Sequence, residues 1–263
     1  MPKFSANLTM MFNELPFLER FDAAAAAGFH AVEFLFPYDY PAQTLRDQLD
    51  GHGLELVLHN LPAGDWAAGE RGIACDPARI DEFRQGVARA IDYAKALDCP
   101  RVNCLAGIVA EDRRDIARRT LIENLRYAAG QLEDAGILLL LEPVNTRDIP
   151  GFFVNRSSRA LEIIDAVGSD NLKLQFDLYH AQVMEGDLTH TIEAHFDRIG
   201  HLQLADNPGR HEPGTGEINY PYLFRRLDEL DYQGWIGCEY KPRTTTTEGL
   251  GWFAPWRSDA VAP

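Results

Sequence analysis

The sequence predicts an α/β protein, a single (β/α)8 barrel over residues 1–263. Three observations carry this. Short β-type runs alternate with helical patterns along the whole chain, as parallel strands joined by crossover helices do. Eight such units fit into 263 residues, close to the roughly 250 that a closed barrel uses. An open doubly wound sheet would announce a glycine-rich phosphate loop after its first strand, and that loop is missing here.

The candidate strands, in order, are Phe4–Leu8, Ala31–Phe36, Leu54–His59, Arg101–Ala106, Ile137–Glu142, Leu172–Asp177, His201–Ala205 and Trp235–Glu239. Leu18–Ala27 is rich in alanine and stops at Gly28, a residue that readily takes the left-handed conformation ending a helix. Pro77–Leu97 opens on Asp76-Pro77, a capping side chain followed by proline at the first helical position. Thr120–Ala135 and Ser158–Val167 are amphipathic and end before Gly136 and Gly168. No linker, charge run or sequence repeat divides the chain.

Composition narrows the partners. Hydrophobic residues make up 46% of the chain, enough for a sizeable core. The formal charge is −15, which disfavours nucleic acid and anionic membrane, since binding either means neutralising phosphates with Lys and Arg. Cys75, Cys99, Cys104 and Cys238 are far apart without CxxC spacing and read as free, buried thiols of a reducing compartment. The first residues lack a signal peptide's apolar run, and no stretch approaches the ~20 apolar residues of a membrane span. A cytoplasmic location is expected. A homo-oligomer is compatible with the sequence, which does not fix the oligomeric state.

The chemistry sits at the strand ends. Leu138-Leu-Leu-Leu-Glu142, Leu172-Lys-Leu-Gln-Phe-Asp177, His201-Leu-Gln203 and Trp235-Ile-Gly-Cys-Glu239 each place an oxygen side chain at or near the C-terminal end. In a parallel barrel those ends converge on one mouth. A carboxylate closing one strand reads as readily as a solvated loop residue or a helix cap. Four oxygen donors on the last four strands do not, and Glu142 after four leucines would be costly to bury unpaired. Glu142, Asp177, Gln203 and Glu239 are therefore candidate metal ligands. An oxygen-only set suits Mg²⁺ or Mn²⁺ over zinc.

Candidate substrate contacts surround them. His180, three residues past Asp177, can reach a substrate oxygen, and His59 closes its strand facing the same mouth. His201 shares a face with Gln203 one layer deeper, either as a partner behind the ligands or as a satisfied core histidine. His30, His52, His190, His195 and His211 read as incidental. Two long loops, 60–72 and 206–220, mix glycine, proline and charge, as binding loops do, although packing loops can look the same. Arg71, Arg210 and Lys241 are the cations best placed to face the mouth; pairing with neighbouring carboxylates is the competing reading.

At these residues the chain resembles the hydroxypyruvate isomerase family of the xylose-isomerase-like barrel superfamily. The resemblance runs nearly end to end, through Phe4-Ser-Ala-Asn-Leu, Val32-Glu-Phe-Leu-Phe-Pro-Tyr-Asp-Tyr40 and Gly237-Cys-Glu-Tyr-Lys-Pro242. Its most specific stretches are Leu58-His-Asn-Leu-Pro-Ala-Gly-Asp-Trp-Ala-Ala-Gly-Glu-Arg-Gly-Ile-Ala-Cys75 and Glu212-Pro-Gly-Thr-Gly-Glu-Ile-Asn-Tyr220. It implies an intramolecular oxidoreductase that interconverts hydroxypyruvate and 2-hydroxy-3-oxopropanoate (tartronate semialdehyde) with a divalent metal. Glu142, Asp177, Gln203 and Glu239 match the family's ligands, and Glu142 and Glu239 its proton donor and acceptor. His180 matches a substrate-contacting histidine of the related ketose 3-epimerases. Those epimerases usually carry histidine where Gln203 stands, a departure that weakens the epimerase reading. The 2-oxo-tetronate isomerases are also close, at Glu217-Ile-Asn-Tyr-Pro221 and in the tail 234–256. A small hydroxy-oxo acid is thus the expected partner. Abasic-site endonucleases share the superfamily, but a net charge of −15 and few mouth histidines argue against that activity. A barrel that only binds sugars should lack one of the paired glutamates.

Overall fold

The structure, a computed structural model, describes residues 1–256. Residues 257–263, included in the expected single domain, lie outside the described residues. Eight parallel strands form a closed barrel in sequence order: β1 (Lys3–Asn7), β2 (Ala31–Glu33), β3 (Glu55–Asn60), β4 (Arg101–Cys104), β5 (Leu138–Leu141), β6 (Leu172–Asp177), β7 (Ile199–Leu204) and β8 (Trp235–Cys238). β1 pairs with β8 and closes the ring. Around it run α1 (Glu19–Ala26), α2 (Ala42–His52), α3 (Ile80–Ala96), α4 (Arg114–Asp134), α5 (Ser157–Val167), α6 (Leu178–Met184), α7 (Leu188–Ala194) and α8 (Tyr220–Glu229).

Local signals explain the boundaries. Asp76 accepts from the Ala78 amide and Pro77 opens a short turn before α3, as its sequence implies. Gly168 ends α5 with φ 70°, a conformation costly for any residue with a Cβ. α4 begins six residues before the expected Thr120, because its first turns, Arg114-Asp-Ile-Ala-Arg-Arg119, are too charged to show an apolar stripe.

The main core lies between barrel and helices, and a smaller cluster of Ala31, Val57, Leu58 and Leu140 fills the barrel's interior. Two bulges shift the inward-facing positions. Across β2 and β3, Val32 pairs with Leu56 but Glu33 with Leu58; across β6 and β7, Leu174 pairs with Ile199 but Gln175 with His201. Each inserts one extra residue and reverses the alternation beyond it. The four cysteines are free and buried. Among the described residues no helix is long and apolar enough to cross a membrane.

Candidate active site

At the C-terminal mouth of the barrel lies a cavity of about 410 Å³. Glu142, Gln203 and Glu239 line its floor, and Arg71, His180, Arg210 and Lys241 also border it. Asp177 sits beside it, fully buried. Glu142 and Glu239 stand one residue past β5 and β8, while Asp177 ends β6 and Gln203 is the penultimate residue of β7.

Each carboxylate is held by one oxygen. Glu142 Oε2 accepts from Asn103 Nδ2 at 2.8 Å. Asp177 Oδ1 caps α6, accepting from the Tyr179 amide at 2.7 Å and the His180 amide at 3.3 Å, while the buried Oδ2 has no hydrogen-bond partner. The helix-cap reading and the ligand reading of Asp177 thus apply to different oxygens. Glu239 Oε1 accepts from Arg210 Nη2 at 2.9 Å, and the same nitrogen lies 3.7 Å from Asp177 Oδ2. Gln203 Oε1 accepts from Gln175 Nε2 at 2.6 Å.

Burial acts on all three acids. It pushes Glu142 well above the ordinary carboxyl value, with the charges of Glu239 and Asp177 adding. It raises Asp177 against the opposing pull of Arg210 and two backbone amides. Glu239 is pushed up to about 8 by burial, again against Arg210. His180 is held neutral, well below its usual value, by burial and by the nearby guanidinium.

Glu142, Asp177 and His180 can each bring one donor atom within 4.8 Å of the others, a buried cluster of metal-binding dimensions. The orphaned Asp177 Oδ2 and the raised carboxyls fit a divalent cation, because three buried acids that one guanidinium does not fully compensate stay unfavourable until further positive charge arrives. Glu239 stands outside that sphere, separated from Asp177 by the Arg210 guanidinium. His180 enters it as a neighbour that the oxygen-only expectation did not include. Asn145 points Nδ2 at His180 Nδ1, 2.6 Å away, and Asp148 fixes the Asn145 amide. That close contact makes Nδ1 the acceptor, so the neutral ring carries its proton on Nε2, 3.6 Å from Asp177 Oδ2. The Arg210 contact to Nε2, at 3.4 Å, is too long to set the tautomer.

Arg71 stacks on Trp66 with 4.1 Å from guanidinium carbon to ring centre, and its Nη1 donates to the Trp66 and Glu70 carbonyls. Both residues come from loop 60–72. Lys241 also lines the cavity, its amide bonded to the Arg210 carbonyl.

His59 corrects the expectation that it faces the mouth. The β3 bulge puts both Val57 and Leu58 inward, so Asn60 faces the cavity and His59 turns away. His59 is fully buried, edge-on to Tyr38, and burial lowers it to about 4. His201 lies beneath Gln203 and meets Glu33, its Nε2 2.8 Å from Oε2. Glu33, Asn103, Asn145 and Gln175 were not singled out from sequence. Gln175 shares the parity of Asp177, and Glu33 interrupts an apolar run as Glu142 does, so both left a signal.

Comparison with known proteins defines the class. The model of the xylose isomerase-like TIM barrel family matches residues 21–256, and the chain belongs to that family. Within it the chain is 58% identical to hydroxypyruvate isomerase of Escherichia coli, over 98% of this chain and 100% of that one. It is 51% identical to 2-oxo-tetronate isomerase of Cupriavidus necator, over 97% and 99% of the two chains. A crystal structure described as an AP endonuclease, family 2, from Brucella melitensis superposes with TM-score 0.96 at 52% identity, covering 98% of this chain and 100% of that one. The chain is an isomerase of the hydroxypyruvate isomerase and 2-oxo-tetronate isomerase family.

Proposed function

We propose that the chain interconverts hydroxypyruvate and 2-hydroxy-3-oxopropanoate by moving a proton between neighbouring carbons. The observation that carries this reading is the pair Glu142 and Glu239, two buried acids on β5 and β8 bordering one cavity. They can flank a small substrate from two sides. One carboxylate takes a proton from C3 of hydroxypyruvate, leaving an enediolate. A carboxyl group returns a proton to C2, and the hydroxyl proton passes from the C3 oxygen to the C2 oxygen. No electrons leave the substrate, so no organic cofactor is required. General acid–base groups of this kind contribute about 10²–10⁴-fold each.

Glu142, Asp177, Gln203 and Glu239 would hold Mg²⁺ or Mn²⁺, with His180 beside the set and not a ligand in it. A cation bound there supplies Lewis-acid polarisation of the substrate carbonyl. His180, neutral with its proton on Nε2, donates a hydrogen bond to a substrate oxygen. Arg71, Arg210 and Lys241 provide the positive charge that an acid substrate needs on a chain of net charge −15.

Apolar Met10, Phe36, Leu105, Val144 and Ile149 share the rest of the cavity lining with Thr9, Asn60 and Trp66, whose polar atoms can meet substrate hydroxyls. Cleavage of abasic DNA gains no support: one acid–histidine cluster of metal-binding dimensions is present among the described residues, and the chain is strongly acidic. The test is turnover of hydroxypyruvate beside 2-oxo-tetronates and ketoses, with solvent-deuterium incorporation as readout. Preferred turnover of a neutral ketose, or nicking of abasic DNA without isomerisation, would overturn the reading.

A further inference from the structure

Glu33 closes β2 beneath the proposed ligands and is 1% exposed. Each of its oxygens receives two donors. Oε1 accepts from Asn7 Nδ2 at 3.0 Å and from Gln203 Nε2 at 2.8 Å; Oε2 lies 3.3 Å from Ser5 Oγ and 2.8 Å from His201 Nε2. The donors come from β1 and β7, and β8 clears the space: a Cβ on Gly237 would overlap both carboxylate oxygens. Four strands thus converge on one acid that the proposed proton transfer does not use.

The bond to Gln203 has a consequence for the metal. A carboxamide is nearly isosteric at its two ends, so packing alone does not decide whether oxygen or nitrogen faces a cation. An ionised carboxylate only accepts hydrogen bonds. It therefore binds the Gln203 nitrogen and repels the oxygen. With Nε2 committed to Glu33, Oε1 turns toward β6, where Gln175 Nε2 meets it at 2.6 Å. In the reversed amide, oxygen would oppose the Glu33 carboxylate.

We propose that Glu33 is a positioning residue that locks the Gln203 carboxamide with its oxygen available to the divalent cation. The proposal rests on the metal site described under the proposed function, with Gln203 as a neutral oxygen ligand beside the acids. His201 and Asn7 in turn hold Glu33 in place. Removing such supporting partners typically costs about 10–100-fold in metal affinity.

The experiment titrates the chelated parent and Glu33→Asp with Mn²⁺ alone, reading free Mn²⁺ by electron paramagnetic resonance. Asp keeps the negative charge but falls one methylene short of Gln203, so affinity should drop about tenfold or more. The same substitution in a Gln203→Ala background has no amide to orient and should cost less than about twofold further. Near-UV circular dichroism and thermal melts establish that each variant is folded. If Glu33→Asp does not fold, Glu33→Met, which keeps the length but offers no oxygen to accept from Gln203, takes its place with the same expectation. Parent-like Mn²⁺ affinity in the Glu33 variant overturns the proposal and leaves the metal site standing. So does an equal loss with and without Gln203, which would mean that Glu33 acts through the general frame of the site. A parent that binds no Mn²⁺ overturns the metal site and the proposal together.

Discussion

Arg210 donates from Nη2 to Glu239 Oε1 at 2.9 Å, and so places a guanidinium among the carboxylates proposed as ligands. This guanidinium lies 3.7 Å from Asp177 Oδ2, and it does not fully offset the cost of burying the acids. Glu239 remains at about 8 in the folded chain, above its ordinary 4.5. The folded state therefore keeps a proton that the unfolded chain releases. Stability from this proton is complete below about pH 4.5 and is lost as pH rises through about 8. The chelated protein should melt at progressively lower temperature across that window, and Glu239→Gln should flatten the trend. Added Mn²⁺ competes with protons, so its stabilising shift should grow with pH. A melting temperature of the chelated parent that rises over the same range would count against the buried-acid assignment.

Asp177 separates cap from ligand. Asp177→Asn keeps an oxygen to accept from the Tyr179 and His180 amides but removes the charge at the orphaned position. Mn²⁺ binding should fall from about one ion per chain to an undetectable level at the same concentration, while the fold persists. Asp177→Ala should lose both metal and about 0.5–2 kcal/mol of stability through the lost cap. Equilibrium dialysis with metal analysis reads the first effect, chemical denaturation the second. Parent-like metal content in Asp177→Asn would remove it from the ligand set.

Glu142→Gln and Glu239→Gln should each reduce deuterium incorporation into substrate by at least about 10²-fold. Gln preserves shape and an oxygen donor but cannot take a proton. Asn103, which donates to Glu142 Oε2 at 2.8 Å, should hold the new side chain in place. Metal occupancy must be matched to the parent, since both residues are also proposed ligands. Near-parent exchange in a metal-loaded variant would end that residue's catalytic assignment.

The barrel was legible because its signal is repeated: strand-like runs such as Leu172–Asp177 and helix stops such as Gly168 recur at the spacing a closed α/β ring needs. Glu142 was legible because a carboxylate after four leucines has no cheap structural explanation. His59 was misread, since the parity of a strand is visible in sequence and a bulge at Val57 is not; one inserted residue reversed its face. Glu33 and Gln175 were passed over for a related reason. Glu33 falls inside the expected run Ala31–Phe36 and Gln175 two residues before the end of β6, where function is not usually sought, and their partners Gln203 and His201 come from distant sequence. The pairing of Arg210 with Glu239 is the competing reading of the mouth cations realised at that residue, as loop 206–220 brings the guanidinium to the mouth.

Substrate choice rests on where positive charge remains available. Arg210 is engaged by Glu239, so part of its fork is committed within the site. Lys241 offers a single point charge. Arg71 differs, because its Nη1 is held by the Trp66 and Glu70 carbonyls and its plane by the Trp66 ring, while the Glu70 carboxylate pairs with Arg79 instead. A guanidinium oriented by carbonyls and an indole keeps its full charge for an incoming anion, and its remaining edge can take a carboxylate through paired hydrogen bonds. Arg71→Ala should therefore raise KM for hydroxypyruvate about ten- to a hundredfold, the effect of losing a charge-assisted hydrogen bond worth about 1.5–3 kcal/mol. KM for a neutral ketose should change far less, and kcat should fall little if Arg71 binds ground and transition states alike. Arg71→Lys should recover only part of the loss, since an ammonium cannot stack on Trp66 with a planar fork. Trp66→Leu provides the complementary case: the charge stays, its support goes, and KM for the acid should rise by a smaller factor. If Arg71→Ala weakens acid and neutral substrates equally, the arginine shapes loop 60–72 and the carboxylate anchor must be sought at Arg210 or Lys241.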